Sequence, residues 1–241
     1  MKDLRLITIT LAMMTFVACG PIQRTRQSED TPVRTPETEN LLINLKKVSA
    51  RGFMFGHHDD TNYGIGWEGD EGRSDVKSVC GDYPAVISFD LGHIELGDTM
   101  SLDKVPFTKI RKEILNQYKR GGMSSLSWHL RNPLTGGDSW DVSDTTVVKS
   151  ILPGGANHEK FTGWVSKVSA FINSLQTEEG VKVPVLFRPW HEHTGSWFWW
   201  GEKLCTPEEY KALWHITVDI LRNDGVDNAL YACLLYTSDA A

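Results

Sequence analysis

Phe187-Arg188-Pro189-Trp190-His191-Glu192-His193-Thr194-Gly195-Ser196-Trp197-Phe198-Trp199-Trp200-Gly201 follows directly on a largely apolar run, Val181 to Phe187. Such a run reads as a strand buried on both faces, the kind found in parallel sheets. It stops at an arginine, two histidines and a carboxylate. Burying Arg188 or Glu192 in a core is costly without a partner, so their place at a strand's carboxyl end predicts a cleft. Four of the chain's nine tryptophans lie between 190 and 200. An indole is a large flat platform with one polar edge. Sugars pack C–H faces on such platforms and offer hydroxyls to polar partners, so a carboxylate among them predicts chemistry on a glycoside.

Outward from this stretch, strand-like and helix-like segments alternate. Leu41 to Ala50 sets Leu41, Leu42, Leu45 and Val48 at helical spacing and leads into a first strand, Phe53 to Gly56. A second strand, Ala85 to Asp90, precedes a helix near Val105 to Arg120, on which Ile110, Ile114, Leu115 and Tyr118 share a face. Gly121-Gly122 stops that helix, and Met123 to Trp128 is the third strand. A long loop, Leu130 to Asn157, precedes a helix from Glu159 to Thr177, and the fourth strand follows Val183. Thr206-Pro207-Glu208-Glu209 is an N-cap with proline at the first helical position. It opens a helix to about Arg222, after which Asn228 to Ala232 begins a fifth strand. This alternation specifies the α/β class, a parallel sheet with right-handed crossovers. Periodicity alone allows both a closed barrel and a doubly wound sheet.

The 241 residues, 40% hydrophobic and 23% charged, suffice for one or two globular domains. A formal charge of −6 without any basic stripe argues against nucleic acid and fits a neutral polysaccharide better. Lys2 and Arg5 precede the apolar stretch Leu6 to Val17, and Phe16-Val17-Ala18-Cys19 resembles a bacterial lipobox. That stretch is shorter than the ~20 apolar residues of a membrane span. The expectation is a lipoprotein signal peptide over 1–19, with Cys19 lipidated and the protein attached to the outer membrane, at the cell surface or in the periplasm. Residues 20–40, rich in Pro, Thr, Glu and Arg, read as a flexible tether. Cys80, Cys205 and Cys233 have no zinc-site spacing, and Cys80 and Cys205, toward opposite ends of the strands, are not expected to pair. Residues 233–241 break the pattern of the fifth strand and read as a non-native tail on a C-terminally truncated fragment.

Four separate segments together resemble glycoside hydrolase family 26, whose members are mostly β-mannanases. His191-Glu192, a short link and a Trp-rich run ending at Gly201 resemble the family's acid/base motif. Gly52-Phe53-Met54-Phe55-Gly56-His57-His58-Asp59-Asp60 resembles its first strand and loop, and Pro84-Ala85-Val86-Ile87-Ser88-Phe89-Asp90 its second strand. Ser127-Trp128-His129 with Asn132-Pro133 resembles its third. The resemblance runs from about Leu41 to about Tyr231 and implies a (β/α)8 TIM barrel, of which residues 41–232 hold about the first half.

What the resemblance implies is a retaining endo-glycosidase cleaving β-1,4-mannosidic bonds in mannan or galactomannan. Xylanase and mixed-linkage glucanase activities occur in the same family, and a non-catalytic polysaccharide-binding lipoprotein is the alternative from another class. Glu192 is the implied acid/base. The family's nucleophile is a glutamate near the end of a later strand, and no residue here matches it; Asp59, Asp90 and Glu95 lie near earlier strand ends. By the same resemblance His129 binds a sugar hydroxyl, His191 positions the substrate or the carboxyl, and Trp197 stacks on a sugar. Trp140, in the long loop, is a second candidate platform and His58 a cleft-floor residue, while core and stacking roles are both open for Trp199 and Trp200. His57-His58-Asp59-Asp60 contains metal-ligand residue types, which makes a metal-dependent hydrolase the third reading. Against it, neighbouring residues of an extended segment point to opposite sides, and His191 and His193 do not form the helical H-E-x-x-H pattern. No metal or cofactor is expected.

Overall fold

In the computed structural model, residues 33–233 are described. Helix α1, Pro36–Ser49, begins inside the segment whose composition reads as tether. The Thr35 side chain accepts the Thr38 N–H, proline lies in the first turn, and Glu37 and Glu39 complement the helix dipole. The boundary expected at residue 40 is therefore corrected, because capping starts a helix before any apolar spacing registers it. Thr35 N–H also donates to Asp227 O at 3.1 Å, tying this start to the far side of the sheet.

The main strands are β1 (Gly56–His58), β4 (Val86–Asp90), β5 (Met123–Ser127), β6 (Val185–Phe187) and β7 (Ala229–Tyr231). Strand β1 lies three residues later than its apolar residues predict, and Phe53 is 88% exposed. Pairing with β4 sets its position, Gly56 opposite Val86 and His58 opposite Ser88. A two-stranded hairpin, β2 (Tyr63–Gly64) with β3 (Trp67–Glu68), and helix α2 (Asp75–Cys80) fill the connection to β4; all are too short to show a sequence period. Helices α3 (Phe107–Lys119), α5 (His158–Asn173) and α6 (Pro207–Asn223) follow the next three strands, and α4 (Val147–Ile151) interrupts the long loop.

All main strands run parallel in the order β1-β4-β5-β6-β7. Each strand joins beside its predecessor, whereas a doubly wound sheet reverses direction partway. Alternation then makes two faces. Ile87, Phe89, Leu126, Val185 and Phe187 are buried with Ile110 and Ile114 of α3 and Phe161, Val165, Val168 and Ile172 of α5. On the opposite face His58, Ser88 and Ser125 stand in register, and Asp90 lies beside Ser127 where both strands end. Small and polar residues there leave one rim of the sheet free for chemistry.

Candidate active site

Beyond β6 the chain turns at once. Glu192 (φ 57°) and Ser196 (φ 58°) adopt left-handed backbone on either side of a single 3-10 turn, His193–Gly195. Non-glycine residues in that region cost about 1–3 kcal/mol and persist only where their surroundings over-determine them. Here the surroundings are aromatic. Trp190, Trp199 and Trp200 are fully buried, with the Trp190 ring 5.6 Å from each of the other two. Trp200 Nε1 donates to His191 O at 2.9 Å, His193 Nδ1 to Trp200 O at 2.7 Å, and Tyr210 Oη to Trp190 O at 2.8 Å. Three of the four tryptophans in the opening stretch are thus anchors of the turn, which settles the roles left open for Trp199 and Trp200.

Trp197 is only half-buried, and its Nε1 donates to Glu192 Oε2 at 3.0 Å. A β-carbon on Gly195 would lie 2.2 Å from the Trp197 ring, so glycine is what lets the indole fold back onto the carboxyl. Buried Arg188 Nη1 has no hydrogen-bond partner in the protein. Burial lowers the Arg188 pKa, opposed by the charges of Asp90 and Glu192.

Asp90, fully buried where β4 ends, gathers four donors. Its Oδ1 accepts Gly92 N–H at 2.7 Å and His129 N–H at 3.1 Å. Its Oδ2 accepts Ser127 Oγ at 2.5 Å and faces His129 Nδ1 at 2.6 Å. Burial pushes its pKa up, but the His129 bond and charge, Ser127 and Gly92 together hold it well below the usual carboxylate range. His129 Nε2 is 3.0 Å from His191 Nε2, and His191 Nδ1 is 3.3 Å from Pro189 O. Both ring nitrogens of His129 therefore face protein atoms. Burial, then the charges of His129 and Arg188, bring His191 down to about 3. Trp140, 49% exposed, stacks on the His129 ring at 5.3 Å between centroids and 8° between planes. Phe198, buried and unremarked in the sequence, packs against both of them at 5.1 and 5.3 Å.

His58 ends β1 on the same rim. Its Nε2 is 3.2 Å from Asp59 Oδ2, while His57 Nδ1 lies 3.8 Å from Asp60 Oδ1, so the adjacent imidazoles serve different carboxylates. His58, Asp59 and Asp103 each offer a ligand atom within 4.8 Å of one another and could hold a metal ion. That set draws only two members from the contiguous run weighed in the sequence; Asp103, from the loop before α3, carried no sequence signal. Burial lowers the His58 pKa, but Asp59, Asp90 and Asp103 outweigh it and leave it raised. Glu95 is structural: buried, it accepts Trp128 Nε1 at 3.0 Å and Arg131 N–H at 2.8 Å. Cys80, Cys205 and Cys233 are free thiols. Cys19, and residues 234–241 of the expected tail, lie outside the described residues.

The fold thus brings Glu192, Trp197, His191, His129 and Trp140 into one connected group and sets His58 along the rim. The connector is Asp90, which the sequence offered only as a carboxylate near a strand end, with no link to His129 or His191.

The sheet thus adds each strand beside the last, with a carboxyl and a half-buried indole beyond the end of one strand. The chain belongs to glycosyl hydrolase family 26, whose profile matches residues 31–241. It is 35% identical over 204 residues to the mannan endo-1,4-β-mannosidase of Bifidobacterium adolescentis, covering 82% of this chain and 20% of that protein. Among solved structures it is similar to a family 26 β-mannanase from Bacteroides ovatus, with 64% identity, a TM-score of 0.82 and coverage of 83% of this chain and 58% of that one. A modular endo-β-1,4-mannanase from Cellulomonas fimi gives 35% identity and a TM-score of 0.76, covering 84% and 46%. The chain spans less than two thirds of each of these relatives. Its five parallel strands are part of a (β/α)8 barrel.

Proposed function

We propose that this chain supplies the acid/base half of a retaining endo-β-1,4-mannanase site. The observation that carries the reading is Glu192, a carboxyl beyond a buried strand, on left-handed backbone and bonded to a half-open indole. In the first step the Glu192 carboxylic acid protonates the glycosidic oxygen as its bond to the anomeric carbon breaks, and a second carboxylate ~5–5.5 Å away takes that carbon. In the second step the Glu192 carboxylate takes a proton from water, whose oxygen displaces the second carboxylate. That second carboxylate is assigned to no residue of this chain. Trp197 and Trp140 serve as platforms for sugar rings, and mannan is favoured over xylan or mixed-linkage glucan because the relatives named above are mannanases. The lipobox at Phe16–Cys19 supports export and lipid attachment to the outer membrane, which the mass of the mature N-terminal peptide would decide.

The test is Glu192→Ala in a protein carrying both carboxyls. Hydrolysis of galactomannan should fall about 10²–10⁴-fold, the usual contribution of a positioned acid/base. An aryl mannoside with an acidic leaving group needs little protonation, so its glycosylation step should slow far less, and azide should restore turnover. Equal loss on both substrates without an azide response would sink the assignment. Unchanged mannan hydrolysis would put polysaccharide binding ahead, and faster wild-type cleavage of xylan or mixed-linkage glucan would change the substrate.

A further inference from the structure

His191 is 2% exposed, so its protein partners account for its hydrogen bonds. Pro189 O can only accept, which places a hydrogen on His191 Nδ1. Brought down to about 3, chiefly by burial, His191 is neutral near pH 7, so its Nε2 carries a lone pair. The hydrogen between the two Nε2 atoms, 3.0 Å apart, then belongs to His129. At the other side of the His129 ring, Asp90 already accepts Ser127 Oγ and two backbone N–H groups, as an ionised carboxylate does. Facing that carboxylate at 2.6 Å, His129 Nδ1 must donate as well.

We propose that Asp90 is a positioning residue that holds the His129–His191 pair in one hydrogen-bonding state, His129 donating from both ring nitrogens and His191 from Nδ1 alone. The consequence reaches both ends of the site. His191 precedes Glu192 in the chain, and its own carbonyl is pinned by Trp200 Nε1, so locking the imidazole locks the turn that presents Glu192. His129 carries Trp140 stacked on its face, so the same lock sets the sugar platform relative to the acid/base. The positioning role rests on Glu192 as acid/base, whereas the proton pattern stands apart from it.

Long-range ¹H–¹⁵N correlation of the 241-residue chain, labelled at histidine nitrogens and recorded at pH 7, reads the pattern directly. Both ring nitrogens of His129 should resonate as protonated, and those of His191 should split into a protonated Nδ1 and a bare Nε2. A bare nitrogen on His129, or a protonated Nε2 on His191, would overturn the proposal while leaving the Glu192 test untouched. Asp90→Asn removes the negative charge, and His129 should then lose one ring proton. Ser127→Ala removes a donor from the same carboxylate but keeps its charge, and should preserve the wild-type pattern. A purely structural Asp90 would leave the histidine signals of folded Asp90→Asn unchanged, which would also overturn the proposal.

Discussion

At Gly195 a β-carbon would meet the Trp197 ring at 2.2 Å, and that ring carries the donor to Glu192. Gly195→Ala must therefore push the indole outward or distort the turn. We expect a loss of about 1–3 kcal/mol, the usual cost of overpacking, together with loss of the Trp197–Glu192 bond. Thermal unfolding with a structure of the variant checks both; an unmoved indole at unchanged stability would contradict the reading. At this scale the sequence pointed to Glu192 and Trp197 beyond a buried strand, and the structure joins the two by a hydrogen bond. The sequence left core and stacking open for Trp199 and Trp200, whose burial comes from packing on Trp190 and, for Trp199, from the long loop. It was silent on Asp103, an acidic residue in a loop with nothing in its neighbours to single it out.

Helix α6 shows how elements are set by their ends. Thr206 Oγ1 accepts the Glu209 N–H at 3.2 Å and Glu209 Oε2 accepts the Thr206 N–H at 2.9 Å, a closed capping box with Pro207 in the first turn. Since α6 carries Thr217, the acceptor for Trp190 Nε1, and Tyr210, the donor to Trp190 O, its start aligns the support of the turn that carries Glu192. Thr206→Ala should cost about 1 kcal/mol in urea unfolding; a shift indistinguishable from zero would remove the cap from this account. This cap was legible because it is local, and so were β4, β5 and the helix after each. The start of α1 and the place of β1 were not, the first because capping outruns periodicity and the second because β1 takes its register from β4.

For the whole molecule, pH couples the buried site to global stability. His191 has a folded pKa of about 3 against an ordinary 6.5, so between those values the unfolded chain binds a proton that the folded chain refuses, and stability falls as pH falls. Asp90, depressed in the fold, adds stability above about pH 4 that is lost below it. Glu95 acts oppositely: burial, only partly offset by its hydrogen bonds, raises its pKa, so acid relieves it. With one proton at ~1.4 kcal/mol per pH unit, unfolding free energy should drop by on the order of 4 kcal/mol between pH 6.5 and pH 3. Denaturant titrations across that range should show a shallower slope for His191→Asn; identical slopes would refute the account. The sequence by itself determined the α/β alternation and the parallel strands, because both rest on local periodicity, and it offered Glu192 as acid/base through the family resemblance. Where periodicity left barrel and doubly wound order open and the resemblance implied the barrel, the tertiary structure decided which strand pairs with which. It also decided that Asp90, His129 and His191 form one hydrogen-bonded unit, because residues distant in the chain meet only where parallel strands end side by side.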